Sequence, residues 1–188
     1  MELVSRAIHF AADAHDGMRR KKGNIPYILH PMEAAVIVGT MTSDQEVISA
    51  AVLHDVVEDT GITLAEIEME FGKRVAILVA TETEDKRAEL PPESTWQVRK
   101  EESLQILNST SDTAVLMVWL GDKLANMRSI YREWVKEGES MWQRFNQKDP
   151  LLQGWYYCTI AKLTEKLNCY PAWQEYDHLT KSVFGKGE

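Results

Sequence analysis

Apolar positions along this chain recur at helical spacing almost from its first residue. Leu3, Val4, Ala7, Ile8, Ala11 and Ala12 fall on one helix face, and Gly17 stops the run. After a basic stretch, His30-Pro31 opens a second helix to about Met41, a first-turn proline losing no hydrogen bond there. Ser43 and Glu46 have capping-box spacing ahead of Val47, Ile48, Ala50, Ala51, Val52 and Leu53, so a third helix is expected from Ser43 to Asp59. Thr63 and Glu66 repeat that signal before a short helix that Gly72 terminates, and Val75 to Val79 suggest another.

Pro91-Pro92 reads as a loop. Helical periodicity then returns from Thr95 to Leu107 and from about Asp112 to Gly138, the longest pattern in the chain. Glu139 to Phe145, Leu151 to Leu167 and Ala172 to Phe184 complete it, separated by Asp149-Pro150 and Tyr170-Pro171. No segment alternates like a strand bounded by hairpin turns, and no repeat or low-complexity tract interrupts the pattern. The expected fold is therefore all-α, a compact multi-helix bundle. Trp119, Trp134, Trp142, Trp155 and Trp173 all lie in the second half, where they would pack the later helices or an oligomer interface.

A length of 188 residues suits one domain spanning 1–188 with its own core. Apolar residues at 44% and charged residues at 27% are ordinary for a globular chain, which excludes a disordered one. Cys158 and Cys169 form neither a C-x-x-C pair nor a disulfide framework, so reduced thiols and a cytoplasmic location are expected. Glu2, Arg6, His9, Asp13 and Asp16 interrupt the first helix, leaving no apolar signal segment, and no later stretch approaches a membrane span. The net charge of −8 argues against binding nucleic acid or an anionic membrane through bulk electrostatics. An anionic ligand must then be met locally. The run Arg19-Arg20-Lys21-Lys22 is one such feature, although alone it reads more readily as a solvated loop.

Candidate chemistry concentrates in His54-Asp55-Val56-Val57-Glu58-Asp59. On one continuous helix the i, i+4 relation would stack His54 with Glu58 and Asp55 with Asp59, crowding an imidazole and three carboxylates on one surface. Within an apolar helix those like charges need a cation or solvent, and a metal is the economical explanation. His15-Asp16 is a second such dipeptide without comparable surroundings. What distinguishes His54-Asp55 is its company: His30 at a helix start, and Asp122 among the apolar residues of Val118-Trp119-Leu120-Gly121-Asp122-Lys123-Leu124-Ala125-Asn126. A buried Asp122 needs a partner, and Lys123 could serve as one.

From about Ala7 to Arg132 the motifs A-x-x-A-H-x-G, R-K-x-G-x-x-P-Y-I-x-H-P, L-H-D-V-V-E-D-T, F-G-x-x-V-A and D-K-L-x-N-M-R follow in order. Together they resemble the HD-domain superfamily and, more narrowly, the hydrolase domain of RelA/SpoT-type enzymes and small alarmone hydrolases. The resemblance implies an HD-type helical bundle with His30, His54, Asp55 and Asp122 as metal ligands and Mn2+ as the metal. The mixed imidazole and carboxylate set suits a first-row divalent ion. It implies that Glu58 and Asp59 activate or position the attacking water, Glu58 being the first choice, and that Arg20, Lys21 and Asn126 hold a guanine nucleotide. Lys86, Arg99 and Lys100 are further candidates for substrate contacts or surface charge, and His15 for a packing role.

This chain departs from the family pattern at Met18, Lys22, Trp119 and Ser129 and by one extra residue around Asn24-Ile25. None removes an implied ligand; they bear on substrate identity. The implied reaction is hydrolysis of guanosine 3′,5′-bis(diphosphate), or its pentaphosphate, to GDP or GTP and pyrophosphate. The alternatives are another phosphorylated nucleotide, such as NADPH or a nucleoside phosphate, or a nucleotide-sensing module that does not catalyse. Oligomeric state stays open.

Overall fold

In the computed structural model, residues 1–20 and 24–185 are described. They form α1 (Leu3–Ala14), α2 (Leu29–Gly39), α3 (Gln45–Leu53), α4 (Val56–Asp59), α5 (Leu64–Phe71), α6 (Lys73–Ala80), α7 (Pro92–Ser109), α8 (Thr113–Glu137), α9 (Pro150–Leu163) and α10 (Pro171–Phe184). Two 3₁₀ segments, Gly138–Arg144 and Glu165–Leu167, follow α8 and α9. An isolated antiparallel bridge between Arg19 and Pro26 pins the two ends of the basic loop. The all-α expectation holds among the described residues, none of which is in a named strand.

Helix α8 is the axis of the bundle, because its middle is apolar on every side: Val115 to Leu120, Leu124, Ala125 and Met127 are buried. Helices α2, α3, α6 and α10 pack on it. The α2–α8 crossing depends on Gly121, where a Cβ would lie 2.6 Å from Val38 Cγ2 and 2.9 Å from the Ala34 carbonyl oxygen. Arg128 on α8 ties this crossing to α10, donating from Nη1 to Glu33 at 3.3 Å and from Nε and Nη2 to Glu175 at 2.6 and 2.7 Å. Trp119 and Trp142 are buried, and Trp142 stacks on Phe184 of α10 with ring centroids 5.5 Å apart.

Local signals explain most helix ends. Thr63 and Glu66 form the expected capping box of α5, and the Asp112 and Asp149 side chains accept from the first-turn amides of α8 and α9. Gly72 and Gly138 end α5 and α8 at φ +90° and +59°, backbone angles that favour glycine. Four expectations need correction. The Ser43 capping box does not form, because the Asp44 side chain caps α3 and accepts from the Glu46 amide. The long third helix breaks at His54-Asp55 into α3 and the single turn α4. Pro92 is the first residue of α7 rather than part of a loop, in keeping with the tolerance of a first-turn position for proline. The segment after Gly138 winds as 3₁₀ helix rather than α-helix. Among the described residues no helix is long and apolar enough to cross a membrane.

Candidate metal centre

Three separate pieces of chain deliver the cluster. His30 sits in the first turn of α2, where its amide donates to the Tyr27 carbonyl at 2.9 Å. His54 and Asp55 occupy the turn between α3 and α4, and Asp122 lies midway along α8 beside Gly121. His30 Nε2 is 2.9 Å from Asp122 Oδ1 and 3.6 Å from Asp55 Oδ2. His54 Nε2 is 3.1 Å from Asp55 Oδ2 and 3.4 Å from Asp122 Oδ1. One donor atom from each of His30, His54 and Asp122 lies within 4.8 Å of the others, and all three residues are buried.

The two faces of His54 show what this arrangement can do. Its Nδ1 is 2.8 Å from the Ala51 carbonyl oxygen, an acceptor that fixes the proton on Nδ1 and leaves a lone pair on Nε2. Yet Nε2 is fully buried and makes no hydrogen bond, although two carboxylates face it. A buried lone pair aimed at carboxylates is unfavourable unless a cation lies between them. The donor set thus fits a divalent metal ion. Without one, burial lowers the His54 pKa, but the Asp55 and Asp122 charges outweigh it and raise the imidazole well above its ordinary value. Burial likewise raises Asp55 and Asp122, but His54 and His30 bring Asp55 below the usual carboxylate range, and Lys123 and His54 do the same for Asp122.

Neighbouring groups hold these side chains in place. The Tyr27 hydroxyl donates to Asp55 Oδ2 at 2.7 Å, and burial together with Asp55 and Asp59 pushes its pKa up. His15 stacks on Tyr27 at 5.0 Å and contacts the Ala11 carbonyl oxygen through Nδ1 at 2.9 Å. Asn126 Nδ2 donates to Asp122 Oδ1 at 2.7 Å, and Arg20 Nη2 donates to Asn126 Oδ1 at 3.1 Å. Asp122 Oδ2 instead pairs with Lys123, whose ammonium also donates to Glu82 Oε2 at 3.0 Å.

A second acidic pair lies next to the cluster. Glu58 is pushed up to about 7 by burial and by the Asp55 and Glu84 charges, against the pull of Lys86 and Lys100. Lys86 is paired with Asp59 and lies 3.7 Å from Glu58 Oε1. Glu84 is fixed by Arg99 at 2.9 Å, Lys100 at 2.6 Å and Ser103 at 2.9 Å. Glu58, Asp59, Glu84, Arg99 and Lys100 open onto one cleft of about 720 Å³, whose lining includes Arg20, Lys86, Trp96 and Tyr157. Residues 7–151, which hold every member of the cluster, match the family model of the HD domain. The chain belongs to the HD-domain family.

Among the relatives of this HD domain, an Aquifex aeolicus protein named guanosine-3′,5′-bis(diphosphate) 3′-pyrophosphohydrolase is 37% identical over 130 residues. That match covers 69% of this chain but 18% of the Aquifex protein, so the chain spans about a fifth of the curated relatives it matches. A crystal structure of a Listeria monocytogenes EGD-e protein superimposes with a TM-score of 0.72 at 34% identity, covering 84% of this chain and 99% of that one. A structure described as a metazoan ortholog of SpoT that hydrolyses ppGpp and plays a role in starvation responses gives a TM-score of 0.76. Identity there is 25%, with 97% of this chain and 96% of that chain covered. The resemblance to RelA/SpoT-type domains read from the motifs is borne out by these matches.

Within the HD domain, His30, His54, Asp55 and Asp122 come together, with Glu58, Asp59, Arg20 and Asn126 lining the same cleft. Lys21 and Lys22 lie outside the described residues. Glu58 and Asp59 do not share a helix with His54, since the break at His54-Asp55 separates them. Sequence reasoning missed Tyr27, Glu82 and Glu84. Tyr27 was visible within the P-Y-I-x-H-P motif, whereas Glu82 and Glu84 sit in T-E-T-E-D-K, which has the appearance of a solvated charge run.

Proposed function

We propose that this HD domain hydrolyses guanosine 3′,5′-bis(diphosphate) or its pentaphosphate at the 3′ position, releasing pyrophosphate and GDP or GTP. The observation that carries the reading is the convergence of two imidazoles and two aspartates, with one buried imidazole nitrogen facing both carboxylates, beside an acidic pair in one cleft. The names of the Aquifex and metazoan proteins support the substrate. In this reading His30, His54, Asp55 and Asp122 hold one divalent ion, with Mn2+ the expected metal. Such an ion, when bound, polarises a phosphoryl oxygen and makes water acidic near neutral pH.

The chain's own residues supply the rest. Glu58, its carboxyl pKa already near neutrality, takes the proton from the attacking water. Water adds to the phosphorus attached at O3′, the O3′–P bond breaks, pyrophosphate departs with the water's oxygen, and O3′ takes up a proton. Asp59, held by Lys86, orients the water. Arg20, Lys21 and Asn126 hold the guanine nucleotide; a guanidinium can stack on a base or grip a phosphate with two hydrogen bonds. The reaction belongs to one domain of residues 1–188, and the two free cysteines fit a reducing cytoplasm.

The test is a substrate panel on the purified, manganese-loaded protein: both guanosine polyphosphates, NADPH and nucleoside phosphates. Pyrophosphate and GDP should appear in equal amounts from the tetraphosphate. Absence of pyrophosphate from both guanosine polyphosphates rejects the assignment.

A further inference from the structure

Lining the same cleft is a buried ion pair, Lys123 with Glu82, that the proposed reaction does not use. Lys123 is 8% exposed and Glu82 7%, among the more buried charged residues of the chain. The Lys123 ammonium sits between Asp122 Oδ2 and Glu82 Oε2 and lies 4.8 Å from the centroid of the Trp119 ring. Glu82 Oε1 is buried and makes no hydrogen bond. Burying a pair in this way carries a desolvation penalty on each ion that a surface pair would avoid. Fold stability alone is a poor reason to retain it.

We infer that Glu82 is a positioning residue for the metal: by holding Lys123 it fixes Asp122 and balances the charge of the buried centre. This rests on the ligand role proposed for Asp122. With Glu82 ionised, Asp55, Asp122 and Glu82 bring three negative charges, and Lys123 returns one positive. The remaining two match a divalent cation held with neutral imidazoles. With Glu82 neutral, the centre would carry an excess positive charge in a buried site, and Lys123 would compete with the metal for Asp122. Geometry adds to this. Asp122 Oδ1 is set by Asn126 and faces both histidines, while Oδ2 is set by Lys123 alone among the hydrogen bonds observed. Releasing Lys123 from Glu82 removes the anchor of that second oxygen. Groups in this outer position govern metal affinity as well as orientation.

The test measures Mn2+ binding to the metal-free protein by titration calorimetry, without nucleotide, in Glu82→Gln, in the double variant Glu82→Gln/Lys123→Met and in Asp122→Asn. Glu82→Gln should weaken Mn2+ binding by about tenfold or more. The double variant should recover most of that loss, because the charge balance returns when the pair is removed together. A purely structural role for Glu82 would not produce such recovery. Glu82→Asp, which keeps the charge, should bind more tightly than Glu82→Gln and serves if the amide variant does not fold. The inference is overturned if Glu82→Gln binds Mn2+ within twofold of the parent, or if the double variant is no tighter than the single. Asp122→Asn separates the two readings: if it also binds as the parent does, the ligand assignment falls. If it loses the metal while Glu82→Gln does not, only the role of Glu82 falls.

Discussion

At Glu58, burial and the Asp55 and Glu84 carboxylates push the pKa up to about 7, placing the group where a general base at neutral pH is most effective. A base must be ionised to accept a proton, so turnover falls as pH drops through this pKa and is fully expressed above it. A cation in the neighbouring centre favours the ionised form, so the acid limb of the kcat profile should lie no higher than about 7. Glu58→Gln should lower kcat by about 10²–10⁴-fold with KM nearly unchanged, and should lose that acid limb. Steady-state kinetics across pH checks both, and a Glu58→Gln protein turning over at the parent rate removes Glu58 from the role of base.

Helices set the distances within which these residues act, and Gly121 is the clearest case. A methyl group at Gly121 would meet Val38 and the Ala34 carbonyl, both on the helix that carries His30. Gly121→Ala should therefore cost about 1–3 kcal/mol of stability and weaken metal binding together, by separating His30 from Asp122. Asp112→Ala, at the far end of the same helix, should cost about 1 kcal/mol through the lost cap, leaving metal affinity unchanged. Thermal melts paired with metal titrations distinguish the two. The same helices show what the sequence makes legible. Periodicity and caps expose α1, α5, α8 and α10 closely, because their signals are local. The break at His54-Asp55 carries no glycine or proline to announce it. It accompanies contacts that turn both side chains toward one point, from Ala51 in the preceding turn and from Tyr27, His30 and Asp122 elsewhere in the chain. His30, His54, Asp55 and Asp122 were readable through ordered motifs, whereas the role of Glu82 depends on a burial that no local pattern reports.

In the whole molecule, the proposed metal would join α2, the α3–α4 turn and α8, elements far apart in sequence. A ligand that binds only the folded state adds stability by mass action, about 2.7 kcal/mol at one hundred times its dissociation constant. Chelation should therefore lower the melting temperature of metal-loaded protein, and added Mn2+ should restore it; a melt indifferent to chelator would argue that no metal bridges these helices. The most direct test of the account is the number of metal ions bound per chain, by elemental analysis after equilibration with Mn2+ and removal of the excess. One ion per chain is predicted for the parent, with loss of that ion in both His54→Ala and Asp122→Asn. A parent protein that retains no metal, or variants that retain it fully, would contradict the claim that these side chains share one centre.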